Sequence, residues 1–351
     1  MRRRNPWIFF GAFLALLIST MLVPDFRLNA ELAAARREGL WATPEEIERD
    51  QKPVPAELNA MTLIEPLVAI EKSEREGQSF GLYEAIRNLT RGKASSAETT
   101  LAWAWFKRRP DLAEKWREAS KAPAFSSGTV WKDGFDRIWK AEQLRLGVSR
   151  LLAASDFGID ARENLIAVAR LGALSRNEPG LLSQGLRYLD MESILARARA
   201  LGVVREVNAA FGAPADIRLA YRGLMADQLA EMEQIRSFRR PNWGSNTTLN
   251  ERIRQLAPFA AASKQRVVQQ WRQLWKELPA DPTDYFAAAK VFDRNYPRIT
   301  TEIGNYSHVI DGMAGFHHSG AMPGDALRKI GRLEALRKEA LPFGSKAVGE
   351  Q

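Results

Sequence analysis

The chain has 351 residues, 45% of them hydrophobic and 26% charged, a balance that excludes an intrinsically disordered chain and leaves room for one large or two smaller domains. Its 51 basic residues against 42 acidic ones give a net charge of +9, with the two signs interspersed and no polybasic block of five. An ordinary soluble surface with a modest arginine excess is the leading reading of that charge; for a domain outside the cytoplasm, anionic headgroups or acidic envelope polymers are favoured over nucleic acid, which is not expected as a partner. The absence of cysteine excludes disulfides, thiolate metal sites and cysteine nucleophiles.

The chain opens on Arg2-Arg3-Arg4 and continues into Trp7 to Val23, seventeen residues without a charge, which Pro24 and Asp25 are expected to end. As a helix this segment would be about 26 Å long, within the range of spans that cross a hydrocarbon core of about 30 Å. A cleaved signal peptide is the chief rival, but no small-x-small site follows, and Leu28-Asn29-Ala30 lacks the small first residue. A buried helix of a soluble domain is the third reading. Three arginines precede the span and only dispersed ones follow it, so the positive-inside rule places the N-terminus in the cytoplasm and the main domain in the periplasm or outside the cell. The expected layout is a cytoplasmic N-terminus over 1–5, a transmembrane signal anchor over 6–24, a juxtamembrane stretch over 25–58, a helical extracytoplasmic domain over 59–341 and a tail over 342–351.

Beyond the span, Asn29 to Glu38 predicts a short helix closed by Gly39, and Thr43-Pro44-Glu45-Glu46 supplies a cap, a first-turn proline and acidic residues for the next. Lys52-Pro53-Val54-Pro55 has the composition of a stiff linker. Helices are then predicted from Asn59 to Glu76, from a cap at Ser95 or Ser96, and from Pro110. Trp131, Phe135, Ile138, Trp139 and Leu146 fall at helical spacing and predict one long apolar stripe. Asp160 to Glu163 fits a capping box. Further helices are predicted over Gly180 to Leu201, Asp216 to Phe238, Thr248 to Leu278, Thr283 to Asn295, Thr300 to Phe316 and Gly324 to Ala340. Strand signals are weak and no fixed repeat period is present, so the expected fold is all-α, an irregular multi-helix bundle after one N-terminal transmembrane helix. Arg239 to Thr247 is the clearest internal break, the point near which two subdomains would divide.

No nucleophile elbow, S-x-x-K, H-E-x-x-H, Walker or dinucleotide glycine loop is present, which disfavours several hydrolase and nucleotide-binding classes, and no cofactor is expected. All three histidines fall in one segment: His308, His317 and His318, with Asp311 between them. Imidazole and carboxylate ligate zinc or iron when they converge, but on a continuous helix His308 and His318 would stand about 15 Å apart. Ordinary surface histidines beside a glycine-containing loop are the competing reading. Trp103, Trp105, Trp116, Trp131, Trp139, Trp271 and Trp275 fit apolar helix faces and are expected in the core. Trp243, after Arg239-Arg240-Pro241 in a polar loop, is a candidate binding residue together with Arg239 and Arg240, against a simple loop-anchoring contact. Asn88-Leu-Thr90, Asn246-Thr-Thr248 and Asn305-Tyr-Ser307 match the glycosylation pattern, which arises readily by chance.

The arginine-led anchor followed by ELAAARREGLWATPEEIERDQKPVPAELNA resembles a group of uncharacterised signal-anchored bacterial envelope proteins over residues 1–65. The resemblance implies an inner-membrane protein with a helical extracytoplasmic region and carries no catalytic residue with it. Two functions are open on these grounds. One is a non-enzymatic binding or scaffold component that engages an envelope protein or an anionic polymer, with the lipid bilayer itself a partner through Trp7 to Val23. The other is an extracytoplasmic hydrolase of a cell-envelope polymer that uses paired carboxylates.

Overall fold

The computed structural model describes residues 23–50, 54–77, 81–126, 135–179, 184–185, 187–188, 190–237, 257–307 and 323–345. These are helical almost throughout, with no strand among the described residues and one isolated bridge between Asn59 and Ala124. The all-α expectation therefore holds. No helix among the described residues is long and apolar enough to cross a membrane; the expected span Trp7 to Val23 lies, apart from Val23, outside them.

In chain order the helices are α1 over 23–37, α2 Pro44–Asp50, α3 Ala60–Gly77, α4 Gly81–Thr90, α5 Ser96–Arg108, α6 Pro110–Ser120, α7 Phe135–Asp156, α8 Ala161–Leu174, α9 Met191–Ala200, α10 Val204–Phe211, α11 Ile217–Ser237, α12 Ala257–Glu277, α13 Tyr285–Ser307 and α14 Pro323–Ser345. Short 3-10 turns occupy Ala56–Leu58 and Ser175–Asn177.

Several boundaries follow the local chemistry of the sequence. Gly39 closes α1 with φ of 80°, which a glycine adopts without penalty. Ser95 and Glu98 form a reciprocal capping box at the start of α5, and Asn88 donates a further hydrogen bond of 2.7 Å to Glu98. Pro110 opens α6, and the Asp216 carboxylate accepts from the amides of Arg218 and Leu219 at 2.7 and 3.1 Å to open α11.

Other boundaries correct the expectation. Helical backbone runs from Val23 through Pro24 and Asp25, so neither residue ends a helix there. Asp160 does precede α8, but its φ is 40° and it makes no capping hydrogen bond; its carboxylate pairs with Arg117 at 2.7 Å instead, a tertiary contact that displaces the local one. Of the helix expected over Gly180 to Leu201, residues 184–185 and Met191–Ala200 are helical and Asp190 between them is in the left-handed region, while 180–183, 186 and 189 lie outside the described residues. The two helices expected on either side of Pro297 are one, because Val291, Phe292, Tyr296 and Ile299 are buried across the proline and hold the helix through it. Leu146 is only half-buried; the core face of α7 is Leu144, Val148, Leu151 and Leu152. Trp131 and the side chains of Phe135, Ile138 and Trp139 lie outside the description, as do Arg239 to Thr247.

The described residues fall into two compact units. One comprises 23–47, 225–237, 257–280, 287–307 and 323–325. Its core includes Leu28, Leu32 and Trp41 with Val267, Trp271, Leu274, Phe292 and Ile299. Here Arg272 makes a bidentate pair with Glu38 at 2.9 and 2.5 Å and also binds Glu31, while Trp275 Nε1 donates to the Glu38 carbonyl at 3.0 Å. These bonds fix α1 to α12.

The second unit comprises the described residues of 48–224, 281–286 and 326–345. α7 packs on α8, α4 on α5, and α8 also takes α6 and α10 against it. Its core contains a buried ion pair: Arg150 gives Nε and Nη2 to a single Glu71 oxygen at 2.9 and 2.7 Å, with side chains only 8% and 5% exposed. Trp116 Nε1 reaches the other Glu71 oxygen at 3.4 Å, and the Arg150 guanidinium lies over the Trp105 ring at 4.7 Å.

Candidate functional site

A groove of about 530 Å³ lies in the second unit, where α6 and α8 both end and α10 passes beside them. Its lining includes the small side chains of Ala122, Ala124, Ala173 and Ala210, whose methyl groups leave the space that larger residues would fill. Three cations line it, Lys121, Arg170 and Arg176, and no carboxylate does.

The walls are held by specific bonds. After α6 the chain is pinned by Asn59, whose side-chain amide donates to the Ser126 carbonyl and accepts from the Ser126 amide, both at 3.0 Å, while Ala60 N donates to Ala124 O at 2.9 Å. On the other wall the turn Ser175–Asn177 is held by Gln184, wholly buried, which donates to the carbonyls of Arg176 and Glu178 at 2.9 Å each. Gly172 lets α8 approach the Arg187 backbone, since a Cβ there would meet the Arg187 carbonyl at 3.0 Å.

Lys121 is paired with Glu118 at 2.5 Å, whereas Arg170 and Arg176, both exposed, have no acidic partner among the described residues. Cations at helix C-termini also offset the partial negative charge of the last carbonyls, and that structural role accounts for part of their placement. It leaves the forked guanidinium donors free to bind carboxylate or phosphate oxygens.

Beside the groove wall, a buried polar network joins distant stretches of the same unit. Tyr188 donates to Glu334 at 2.5 Å and accepts from Ala215 N at 2.9 Å, Tyr285 donates to Ala215 O at 2.7 Å, and Arg337 pairs with Glu334 at 3.0 Å. The guanidinium groups of Arg187 and Arg337 lie over the Phe211 ring at 5.3 and 5.1 Å. Burial pushes both tyrosine hydroxyls well above their ordinary range and lowers the pKa of Arg187. The phenols therefore stay protonated at physiological pH and act as fixed donors, which makes the network a staple rather than a source of general base.

The sequence candidates are not found here. His308, Asp311, His317 and His318, as well as Arg239, Arg240 and Trp243, lie outside the described residues. Among the described residues no group of three or more histidines and carboxylates could hold a metal ion. Trp105, Trp116, Trp271 and Trp275 are buried as expected, while Trp103 is half-buried, with Lys107 over its ring at 5.1 Å and Phe157 against it at 5.0 Å. Lys121, Arg170, Arg176 and Gln184 carry no sequence motif, and nothing in their spacing marks them.

No family model, no curated protein and no solved structure matches the chain.

Proposed function

We propose that this chain is a bacterial inner-membrane protein, anchored once through Trp7 to Val23, whose helical domain lies outside the cytoplasm and serves as a binding or scaffold component for an anionic envelope partner. The anchor rests on seventeen uncharged residues behind three arginines. The observation that supports the binding role is the groove with Arg170 and Arg176 exposed, alanine methyl groups in the same lining and no carboxylate there. An acidic polymer or the acidic face of an envelope protein fits that chemistry. The hydrolase reading needs two acids facing one cleft, and this groove's lining supplies neither.

A photo-crosslinking residue at Ala124 in the full chain, activated in intact cells, tests the reading. The expected result is a discrete adduct with an acidic partner that falls by about tenfold or more when Arg170 and Arg176 are both changed to Glu. An adduct unaffected by that charge reversal would remove the groove from the account. For the anchor, a reporter active only outside the cytoplasm, fused after Gln351, is expected to be active; activity of a cytoplasmic reporter alone would reverse the topology.

A further inference from the structure

In the first unit, α1 buries Leu28, Leu32 and Ala35 yet leaves Phe26 76% exposed, while no other large apolar side chain among the described residues exceeds 48%. Val23, three residues earlier and so on the same side of the helix, is exposed as well. A lone exposed ring means little in itself. Its position gives this one meaning: Phe26 stands three residues past the uncharged stretch Trp7 to Val23, and the backbone is already helical at Val23. The ring therefore lies about 4.5 Å along the helix from the last residue of that stretch.

α1 is no loose tether. Gln269 donates to Glu31 at 2.8 Å, Arg272 binds both Glu31 and Glu38, and Lys276 pairs with Glu38 at 3.0 Å. The partners advance along α12 as they advance along α1, so the two helices run in the same direction and start on the same side of the unit. α12 opens with Ala257 to Ser263, a stretch without a charge. On the first turn of α1, Arg27 is exposed and has no acidic partner among the described residues. Further along the outer face, Ala30, Ala33 and Arg37 are exposed, so the row that Phe26 begins holds no second bulky apolar group and ends in charge. A helix lying flat at a membrane surface carries large apolar side chains along its whole lipid face; this pattern fits a helix that leaves the lipid after one turn.

We infer that the first turn of α1 is seated in the headgroup layer of an anionic phospholipid bilayer, with Val23 and Phe26 toward the acyl chains and Arg27 on a lipid phosphate, and that α1 then rises into water. The inference rests on the anchor proposed for Trp7 to Val23 and deepens it: because α1 is bonded to α12, the first unit is held against the lipid surface instead of standing off on a linker. A bilayer of about 40–45 Å with a hydrocarbon core of about 30 Å leaves about 5–7 Å of headgroup layer on each face, deep enough for one helical turn of about 5.4 Å. Asp25, half-buried on the same turn, belongs at headgroup depth and not in hydrocarbon, where a carboxylate is costly. Arg27 gains there from the negative surface potential of anionic lipid.

The chain contains no cysteine, so a fluorophore can be placed at one chosen position. Phe26→Cys, Ala33→Cys and Arg37→Cys, each in the full chain, change side chains that are exposed and replace no core contact. The labelled proteins are reconstituted in vesicles of phosphatidylcholine and phosphatidylglycerol that contain a lipid with a nitroxide on its headgroup. Arg37 lies about 16 Å along the helix from Phe26, well beyond the headgroup layer. The label at position 26 should therefore be quenched several times more strongly than the label at 37, with 33 between them. Adding Arg27→Glu to the Phe26→Cys chain should lessen the quenching, and unchanged quenching would remove the arginine from the contact. Flotation of the vesicles after an alkaline wash reads the anchor separately. A chain that floats while its label at 26 is no more quenched than that at 37 overturns the inference and leaves the anchor standing; this holds whether both labels are dark or both bright. A chain that does not float overturns the anchor and the inference together.

Discussion

Gly147, in the interior of α7, occupies a place where glycine ordinarily costs about 1 kcal/mol relative to alanine. Here the alanine would be worse, because a Cβ would sit within 3 Å of both the Trp116 ring and the Leu171 side chain. Gly147→Ala should therefore destabilise the protein by about 1–3 kcal/mol despite its better helix propensity, read as a lower urea midpoint. A raised midpoint would show that Trp116 has room to move. The Glu71–Arg150 pair makes a sharper case. Glu71→Gln leaves the Arg150 charge buried without its counter-ion and should cost about 3–5 kcal/mol, whereas replacing both residues by Met should cost much less. Equal losses for the single and double variants would contradict this account.

Among the elements, α1 is one whose attachment responds to acid. The Glu38 carboxyl is drawn down from 4.5 to about 2, chiefly by the hydrogen bond from Arg272 and secondarily by Lys276, against the opposing effect of burial. A depressed carboxylate pKa contributes stability that is fully present above the unfolded value and is lost as pH falls through the folded one. The α1–α12 attachment should thus hold above about pH 4.5 and weaken progressively toward pH 2. With fluorinated tryptophan, the Trp275 resonance should report this, since its indole donates to the Glu38 carbonyl. In Arg272→Met the acid-dependent change should disappear; an unchanged titration would assign it to other carboxylates.

The same scale shows what local chemistry could and could not reveal. Gly39, the Ser95–Glu98 box and Pro110 act within one turn, so their helix ends are legible from a few neighbouring residues. α4 and α10 are only ten and eight residues long, too short for a sustained helical period, although Gly92 and Gly212 follow them at positive φ. Pro297 and Asp160 misled for the opposite reason: each carries a strong local signal, and each is overruled by burial or by a partner far along the chain.

For the whole molecule, the anchor and the groove make separate predictions. Full-length protein should stay in the membrane pellet after alkaline extraction, and removal of residues 7–23 should release it. Release of the parent chain by the same extraction would refute the anchor. Gln184→Leu should leave the carbonyls of Arg176 and Glu178 unsatisfied, with a loss of about 1–3 kcal/mol and a groove wall that exchanges amide hydrogens faster. Unchanged exchange over 175–178 would mean that the turn is held by other bonds.

The helical class and many of the helix starts are legible along the chain, because three-to-four-residue periodicity and capping are short-range interactions written in adjacent residues. Tertiary packing brings Lys121, Arg170 and Arg176 to one groove, sets Gln184 against its wall, and pairs Glu71 with Arg150 across 79 residues. Those meetings depend on which helix packs on which, and hence on burial summed over the whole unit rather than on any local pattern.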